Sequence, residues 1–172
     1  SNPDIEADML VQTLMAIKSP DYQLVFRGHY FTEEKIKTLD LDITIAESSI
    51  DSCELLSIVD VLITDYSSIL FNFLIMQKPI LLYIPDLSKY VTQRGLYLEP
   101  DQVPGYSVYN LPELKDQIRQ AIQHPAPLTE ALAQFLPVYA PHEDGKASER
   151  VMKIIKSALN KPLNMTKQEN NA

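Results

Sequence analysis

Cysteine is almost absent from this 172-residue chain, where Cys53 stands alone. That excludes both a disulfide framework and a cysteine-ligated zinc cluster. In an apolar context a single Cys reads as a small core residue, because Cys is buried as readily as aliphatic side chains. Long apolar runs are missing too. Spanning a bilayer takes about 18 or more consecutive apolar residues, and the longest stretch here, Ile69 to Met76, is interrupted by Asn72. It reads as a buried helix instead. Basic charge is in deficit, with 15 Lys and Arg against 23 Asp and Glu and a formal net charge of −8. A general nucleic-acid binder needs a basic surface to displace counterions, so no nucleic-acid partner is expected. A pocket for one diphosphate remains open, since a few placed cations and amides can hold it. The first residues, Ser1-Asn2-Pro3-Asp4, show neither an initiator Met nor the charged-then-apolar layout of a secretory leader. They read as the start of a piece of a longer protein, and the composition fits a reducing cytoplasm.

What is present is an alternation of helix and strand. The hydrophobic fraction of 45% suits one globular domain with a sizeable core. Ile5 to Ile17 is helix-like, with Met9, Leu10, Leu14 and Ile17 at helical spacing. Tyr22 to Phe26 reads as a strand, followed by the loop Arg27-Gly28-His29-Tyr30. Thr32 can cap a short helix, and Asp42 to Ala46 is a second short strand. Asp51-Ser52-Cys53-Glu54 has the form of a capping box, opening a helix to about Val59. Val61 to Thr64 and Ile80 to Ile84 are apolar without alternation, as strands covered on both faces should be. Between them Ser67 to Met76 is apolar almost all round, which predicts a buried helix. Asp60 to Ile84 is therefore a βαβ unit with parallel strands.

A loop-rich stretch is expected from Asp86 to Asn110. Helices are expected at Leu111 to Gln123, Leu128 to Phe135 and Lys146 to Leu159. The last carries Val151, Ile154, Ile155 and Ala158 as an apolar stripe. Asn160 to Ala172 is polar, contains Pro162, and is expected to be disordered. The predicted fold is α/β: a Rossmann-like parallel sheet with helices on both faces, spanning residues 1–159, with 160–172 as tail.

Ligands of such folds bind beyond the carboxyl ends of the strands. Four polar clusters fall there. His29 follows the first strand, and as an isolated His it could bind phosphate, pass a proton, or do neither. Thr64-Asp65-Tyr66-Ser67-Ser68 joins a buried strand directly to a buried helix. Free amides at that helix start would attract an anion, and two serines add hydroxyl donors. Asp65 or Ser67 could equally cap the helix, and both readings can hold together. A haloacid-dehalogenase-type nucleophile at Asp65 would require a second Asp two residues on, where Ser67 stands. Arg94 beside Gly95 offers a guanidinium fork next to a backbone that a ligand can approach closely, although it could be an ordinary surface Arg. Asp144-Gly145-Lys146-Ala147-Ser148-Glu149-Arg150 introduces the last helix, as a solvated cap would.

Taken in order, these segments resemble one family. Asp60 to Ser68, then Phe71-Asn72-Phe73, then Lys78-Pro79-Ile80, is similar to the central motif of the CDP-glycerol glycerophosphotransferases. Tyr83-Ile84-Pro85-Asp86-Leu87 with Tyr90, Arg94-Gly95-Leu96-Tyr97, Pro104-Gly105 and Asp144 to Val151 follow in the same sequence, so the resemblance covers roughly Tyr22 to Val151. Asn72 stands where the family pattern has Asp. The resemblance implies one half of a GT-B type enzyme that binds a CDP-activated polyol donor, CDP-glycerol or a relative. His29, Ser67, Ser68 and Arg94 would then line the diphosphate, with Thr64, Asp65 and Gly95 beside them and Asp144, Ser148 and Arg150 bordering the pocket. His29 would also assist proton transfer. No metal and no cofactor beyond the donor are expected.

The partners implied are the CDP donor and a lipid-linked acceptor. The acceptor would be met through an N-terminal domain that this chain lacks, so the chain is expected to bind donor and turn over little. Peripheral attachment to the inner face of the bacterial membrane is implied by the resemblance alone. A nucleotide-sugar GT-B glycosyltransferase and a non-catalytic nucleotide-binding module are the rival readings.

Overall fold

The structure is a computed structural model and describes residues 3–28, 36, 37, 41 and 43–159. Its centre is a three-stranded parallel sheet in the order β3-β4-β5, formed by Leu62–Thr64, Ile80–Tyr83 and Tyr106–Val108. Thr64 lies opposite Leu82, and Leu82 opposite Ser107. A second parallel pair, β1 (Val25–Phe26) and β2 (Thr44–Ile45), forms its own two-stranded ladder. These are the cores of the predicted strands Tyr22 to Phe26 and Asp42 to Ala46, each shorter than expected. Asp42 and the predicted cap Thr32 lie outside the described residues.

β4 is the keel of the fold because its apolar residues face both ways. Ile80 and Leu82 pack against Leu56, Leu70, Phe73, Leu74 and Leu132 on one side. Leu81 packs against Ile17, Val108, Leu114 and Ile118 on the other. The side-chain period of two puts alternate residues of β4 into opposite layers. Helices Ser52–Ile58, Ile69–Leu74 and Ala126–Leu132 thus cover one face, and Pro3–Ile17 and Leu111–Gln123 the other. This is the predicted α/β layering. Asp51 caps its helix as expected, its Oδ1 accepting from the amides of Cys53 at 2.8 Å and Glu54 at 3.3 Å.

Several expectations are corrected. Cys53 is exposed, because it sits in the first turn of a helix whose buried contact is Leu56. β3 is only half-buried, since it is the edge of its three-stranded sheet. The helix expected over Ser67 to Met76 contracts to Ile69–Leu74, and the chain leaves it through Gln77 at φ 51°. Asp86 to Asn110 holds a helix (Leu87–Arg94), a 3₁₀ turn (Pro100–Gln102) and β5 rather than loop alone. Leu128 to Phe135 resolves into Ala126–Leu132 and Leu136–Tyr139. The apolar stripe of the last helix, Ala147–Leu159, is out in solvent: Ile154 is 69% exposed and Val151, Ile155 and Leu159 are exposed with it.

Two local devices set the strand ends. Lys78 Nζ donates to the Val59 carbonyl at 2.6 Å and pairs with Asp60 at 3.3 Å, tying the entry of β4 to the entry of β3. Gly105, at φ 136°, lies so close to β4 that a Cβ would come within 2.7 Å of Leu82 Cγ. Only glycine lets β5 approach at that point.

Candidate functional site

The carboxyl ends of β3 and β4 open toward one edge of the sheet. Thr64 closes β3 and is half-buried; Asp65, Ser67 and Ser68 beyond it are exposed. Tyr66, between them, turns back over the neighbouring connection. Its phenol donates to Asp86 Oδ1 at 3.0 Å, and its ring stacks on Tyr90 with centroids 3.5 Å apart and planes 15° from parallel. Burial is the largest influence on this phenol and raises its pKa above the ordinary 10.0. The hydrogen bond to Asp86 and the charges of Asp86 and Asp65 push in the same direction.

Asp86 holds the N-cap position of Leu87–Arg94, yet its carboxylate makes no capping bond. Its oxygen serves Tyr66 instead, while its carbonyl accepts the Tyr90 amide at 3.0 Å. Asp86, Tyr90 and Arg94 are spaced four apart, so they follow one another along one side of this helix. Arg94 is exposed in the last turn, and Gly95 ends the helix at φ 74° with its amide on the Val91 carbonyl at 3.0 Å. A Cβ on Gly95 would meet nothing within 4 Å, so the space beside Arg94 is open.

At the other connection, Ser67 Oγ accepts weakly from the Ile69 amide at 3.4 Å, which is the capping role foreseen for it. Asp65 does not cap. Ser68 occupies the N-cap position with helical backbone angles and no side-chain capping bond. With only six residues, Ile69–Leu74 carries far less of a dipole than the longer helix predicted. Any attraction for an anion at this connection therefore falls to its hydroxyls and amides rather than to a helix dipole.

The Tyr66 contacts thus join the Thr64–Ser68 connection to Asp86 and Tyr90 of the helix that ends in Arg94 and Gly95. The predicted cluster at the last helix is held by contacts within its own turn. Asp144 accepts from Arg150 Nη1 at 2.7 Å and from the Lys146 amide at 2.9 Å, while Arg150 Nη2 donates to the His142 carbonyl at 2.6 Å. Ser148 is exposed. Among the described residues, no hydrogen bond, ion pair or ring contact joins this turn to Tyr66 or Arg94. His29 lies outside the described residues.

Sequence reasoning placed Tyr66 and Asp86 in the polar clusters and Tyr90 in the family motif but assigned none of them a role, although the four-residue steps from Asp86 to Tyr90 to Arg94 were available as a signal. Arg27 was also passed over. It follows β1, and its Nη1 is shut off from solvent with no hydrogen-bond partner. A buried cationic donor left unsatisfied is costly unless an anion meets it. A hollow of about 130 Å³ lies elsewhere, lined by Ile80, Gly105, Tyr106, Leu132 and Phe135. Ile80 and Tyr106 begin their strands, so this hollow is at the opposite edge of the sheet, and it is smaller than ordinary ligand pockets of about 300–1,000 Å³. Among the described residues, no three His, Cys, Asp or Glu side chains group closely enough to hold a metal ion.

Residues 2–157 match the family described as CDP-Glycerol:Poly(glycerophosphate) glycerophosphotransferase. The chain belongs to this family. It is 35% identical over 157 residues to the teichoic acid ribitol-phosphate primase of Bacillus spizizenii, covering 87% of this chain and 38% of that protein. It is 31% identical over 147 residues to the teichoic acid glycerol-phosphate transferase of Staphylococcus aureus, covering 84% of this chain and again 38% of the relative. The chain therefore spans well under half the length of these glycerophosphotransferase relatives. The fold agrees with the wall teichoic acid polymerase TagF, at a TM-score of 0.70 and 24% identity over 87% of this chain and 37% of that one. A TagF variant soaked with CDPG superposes at a TM-score of 0.68 and 25% identity, covering 88% of this chain and 39% of the other.

Proposed function

We propose that this chain is the donor-binding half of a GT-B type CDP-polyol phosphotransferase, with residues 1–159 as the binding domain. In this reading the chain holds CDP-glycerol, or CDP-ribitol, at the edge formed by the Thr64–Ser68 connection and the Leu87–Arg94 helix. A hydroxyl of a lipid-linked acceptor, delivered by the part of the enzyme outside this chain, attacks the phosphorus next to the polyol. A new oxygen–phosphorus bond forms, the bond to the CMP oxygen breaks, and CMP leaves with the electron pair. The acceptor proton passes to a base, the role proposed for His29. No cofactor beyond the donor is consumed. Arg94 neutralises charge developing on the leaving phosphate, and Ser67 and Ser68 donate to its oxygens. Asp144, Ser148 and Arg150 border the pocket. The product, a polyol phosphate polymer or its primer on a lipid carrier, places the working enzyme at the inner face of the bacterial membrane as a peripheral protein. No helix among the described residues is long and apolar enough to cross a membrane.

The observation that supports this reading best is the junction of two strand-to-helix connections through Tyr66, in a chain of this family. In this reading the serine hydroxyls and the helix bearing Arg94 share one edge of a parallel sheet, where α/β folds bind nucleotides. Calorimetric titration with CDP-glycerol, CDP-ribitol, CMP and UDP-glucose tests it. Binding of the cytidine ligands and not of UDP-glucose is the expected result. Preference for UDP-glucose would make the protein a nucleotide-sugar enzyme, and binding of none would refute a donor site in this chain.

A further inference from the structure

The geometry points to Tyr66 as a positioning residue: by holding Asp86 and Tyr90 it locks the helix that carries Arg94 against the serine-bearing connection, and so sets how the donor is gripped. This rests on the donor-binding reading above. Neither connection has much else to fix it. Leu87–Arg94 buries no residue completely, and Asp65, Ser67 and Ser68 are exposed. A helix without a buried anchor is free to roll or slide unless a specific contact stops it. Tyr66 supplies two contacts of different kinds on one side of that helix. The hydrogen bond to Asp86 fixes the first turn, and the face-to-face ring contact with Tyr90 fixes the second. Arg94 is the next residue along, one turn past Tyr90 and about 40° round the axis. Rotating the helix would swing Arg94 about the axis and break both contacts with Tyr66.

The Tyr66 hydrogen bond stands in place of a cap at Asp86. Its carboxylate gives up the local bond that an N-cap Asp ordinarily makes, and accepts across the connection from a residue 20 positions earlier. A purely local helix start would have used that oxygen for its own amides. Tyr66 itself points its phenol at protein, with its hydroxyl engaged, so its part is to orient Arg94 and the serines rather than to touch the donor.

The test measures CDP-glycerol affinity of the wild type and of Tyr66→Phe, Arg94→Ala, the Tyr66→Phe/Arg94→Ala double variant, and Asp86→Asn. Tyr66→Phe keeps the ring for Tyr90 and removes only the hydroxyl. It should weaken binding about tenfold or more, the loss of one hydrogen bond to a charged partner. In the Arg94→Ala background the same change should have almost no further effect, because a residue that acts through Arg94 has nothing left to position. Asp86→Asn, which keeps an acceptor oxygen, should lose less than Tyr66→Phe. A structural role alone would lower affinity equally in both backgrounds, in step with the melting temperature, and would overturn the proposal. So would unchanged affinity in Tyr66→Phe where Arg94→Ala abolishes binding, a result that leaves the donor site itself intact. Failure of the wild type to bind CDP-glycerol would instead refute the donor reading. Should Tyr66→Phe fold poorly, Asp86→Ala in the same two backgrounds decides the matter.

Discussion

Arg150 Nη1 lies 2.7 Å from Asp144 Oδ1, while the other arm of the same guanidinium donates to the His142 carbonyl at 2.6 Å. One side chain thereby closes the turn that precedes the last helix, with Gly145 at φ 74° inside it. The Arg150 hydrogen bond, followed by that of the Lys146 amide, holds the Asp144 carboxyl below its ordinary value of 3.8. A depressed carboxylate contributes stability that is present above the unfolded value and is lost as pH falls through the folded one. Asp144 observed by NMR should therefore titrate with a midpoint below 3.8. Arg150→Gln should move that midpoint back toward the ordinary value, and an unmoved midpoint would mean the pair does not form in solution.

Burial separates two sets of apolar residues that look alike in sequence. Phe73 is fully buried between β4 and the residues around it, whereas Ile154 is 69% exposed on the last helix. Phe73→Ala should cost about 3–5 kcal/mol in denaturant unfolding, from lost transfer energy and the cavity left behind. Ile154→Ala should change stability by no more than about 0.5 kcal/mol. Comparable losses from both would show that the last helix packs on this domain.

That contrast marks how far the sequence could be read. β4 was legible because a short apolar run flanked by Pro79 and Pro85 is too short for a helix and suits burial on both faces of a parallel sheet. Leu111–Gln123 matches the expected helix to the residue; Asn110 caps it, its side chain accepting from the Glu113 amide at 3.0 Å, and buried Leu114, Ile118 and Ala121 keep helical spacing. The stripe on Ala147–Leu159 was equally plain, but amphipathicity records that a face is apolar and not what it meets. β5 escaped because three residues, with Val108 alone fully buried, leave no pattern. The candidate site divides the same way. Ser67, Ser68 and Arg94 could be named from residue types and a family motif. The contacts of Tyr66 with Asp86 and Tyr90 are tertiary, and no periodicity within either segment encodes them.

Gly105 should be intolerant of any side chain. Its φ of 136° is strained for other residues, and a Cβ would meet Leu82 Cγ at 2.7 Å and Ile80 Cγ2 at 3.1 Å. Both are core residues of β4 with little room to yield. Gly105→Ala should destabilise the protein by about 1–3 kcal/mol, combining backbone strain with overpacking. Thermal melting of this variant against wild type reads the effect directly. A neutral result would mean that β5 can move away from β4.

Tyr66 carries its own pH signature. Burial first, then the hydrogen bond to Asp86 and the nearby carboxylate charges, raise its pKa above 10.0. The proton is thus held more tightly in the folded state than in the unfolded chain. The stability this contributes is complete below pH 10.0, and is lost as pH climbs through the higher folded value. With ¹³C-labelled tyrosine, the Tyr66 Cζ resonance should keep its neutral-phenol position through pH 10.0. Asp86→Asn removes a negative charge and weakens the hydrogen bond while leaving the ring where it is. The midpoint should fall in that variant but stay above the ordinary value, because burial, the largest cause, is untouched. A midpoint that does not respond to Asp86→Asn would mean the phenol and the carboxylate are apart in solution, and with them the two connections they join.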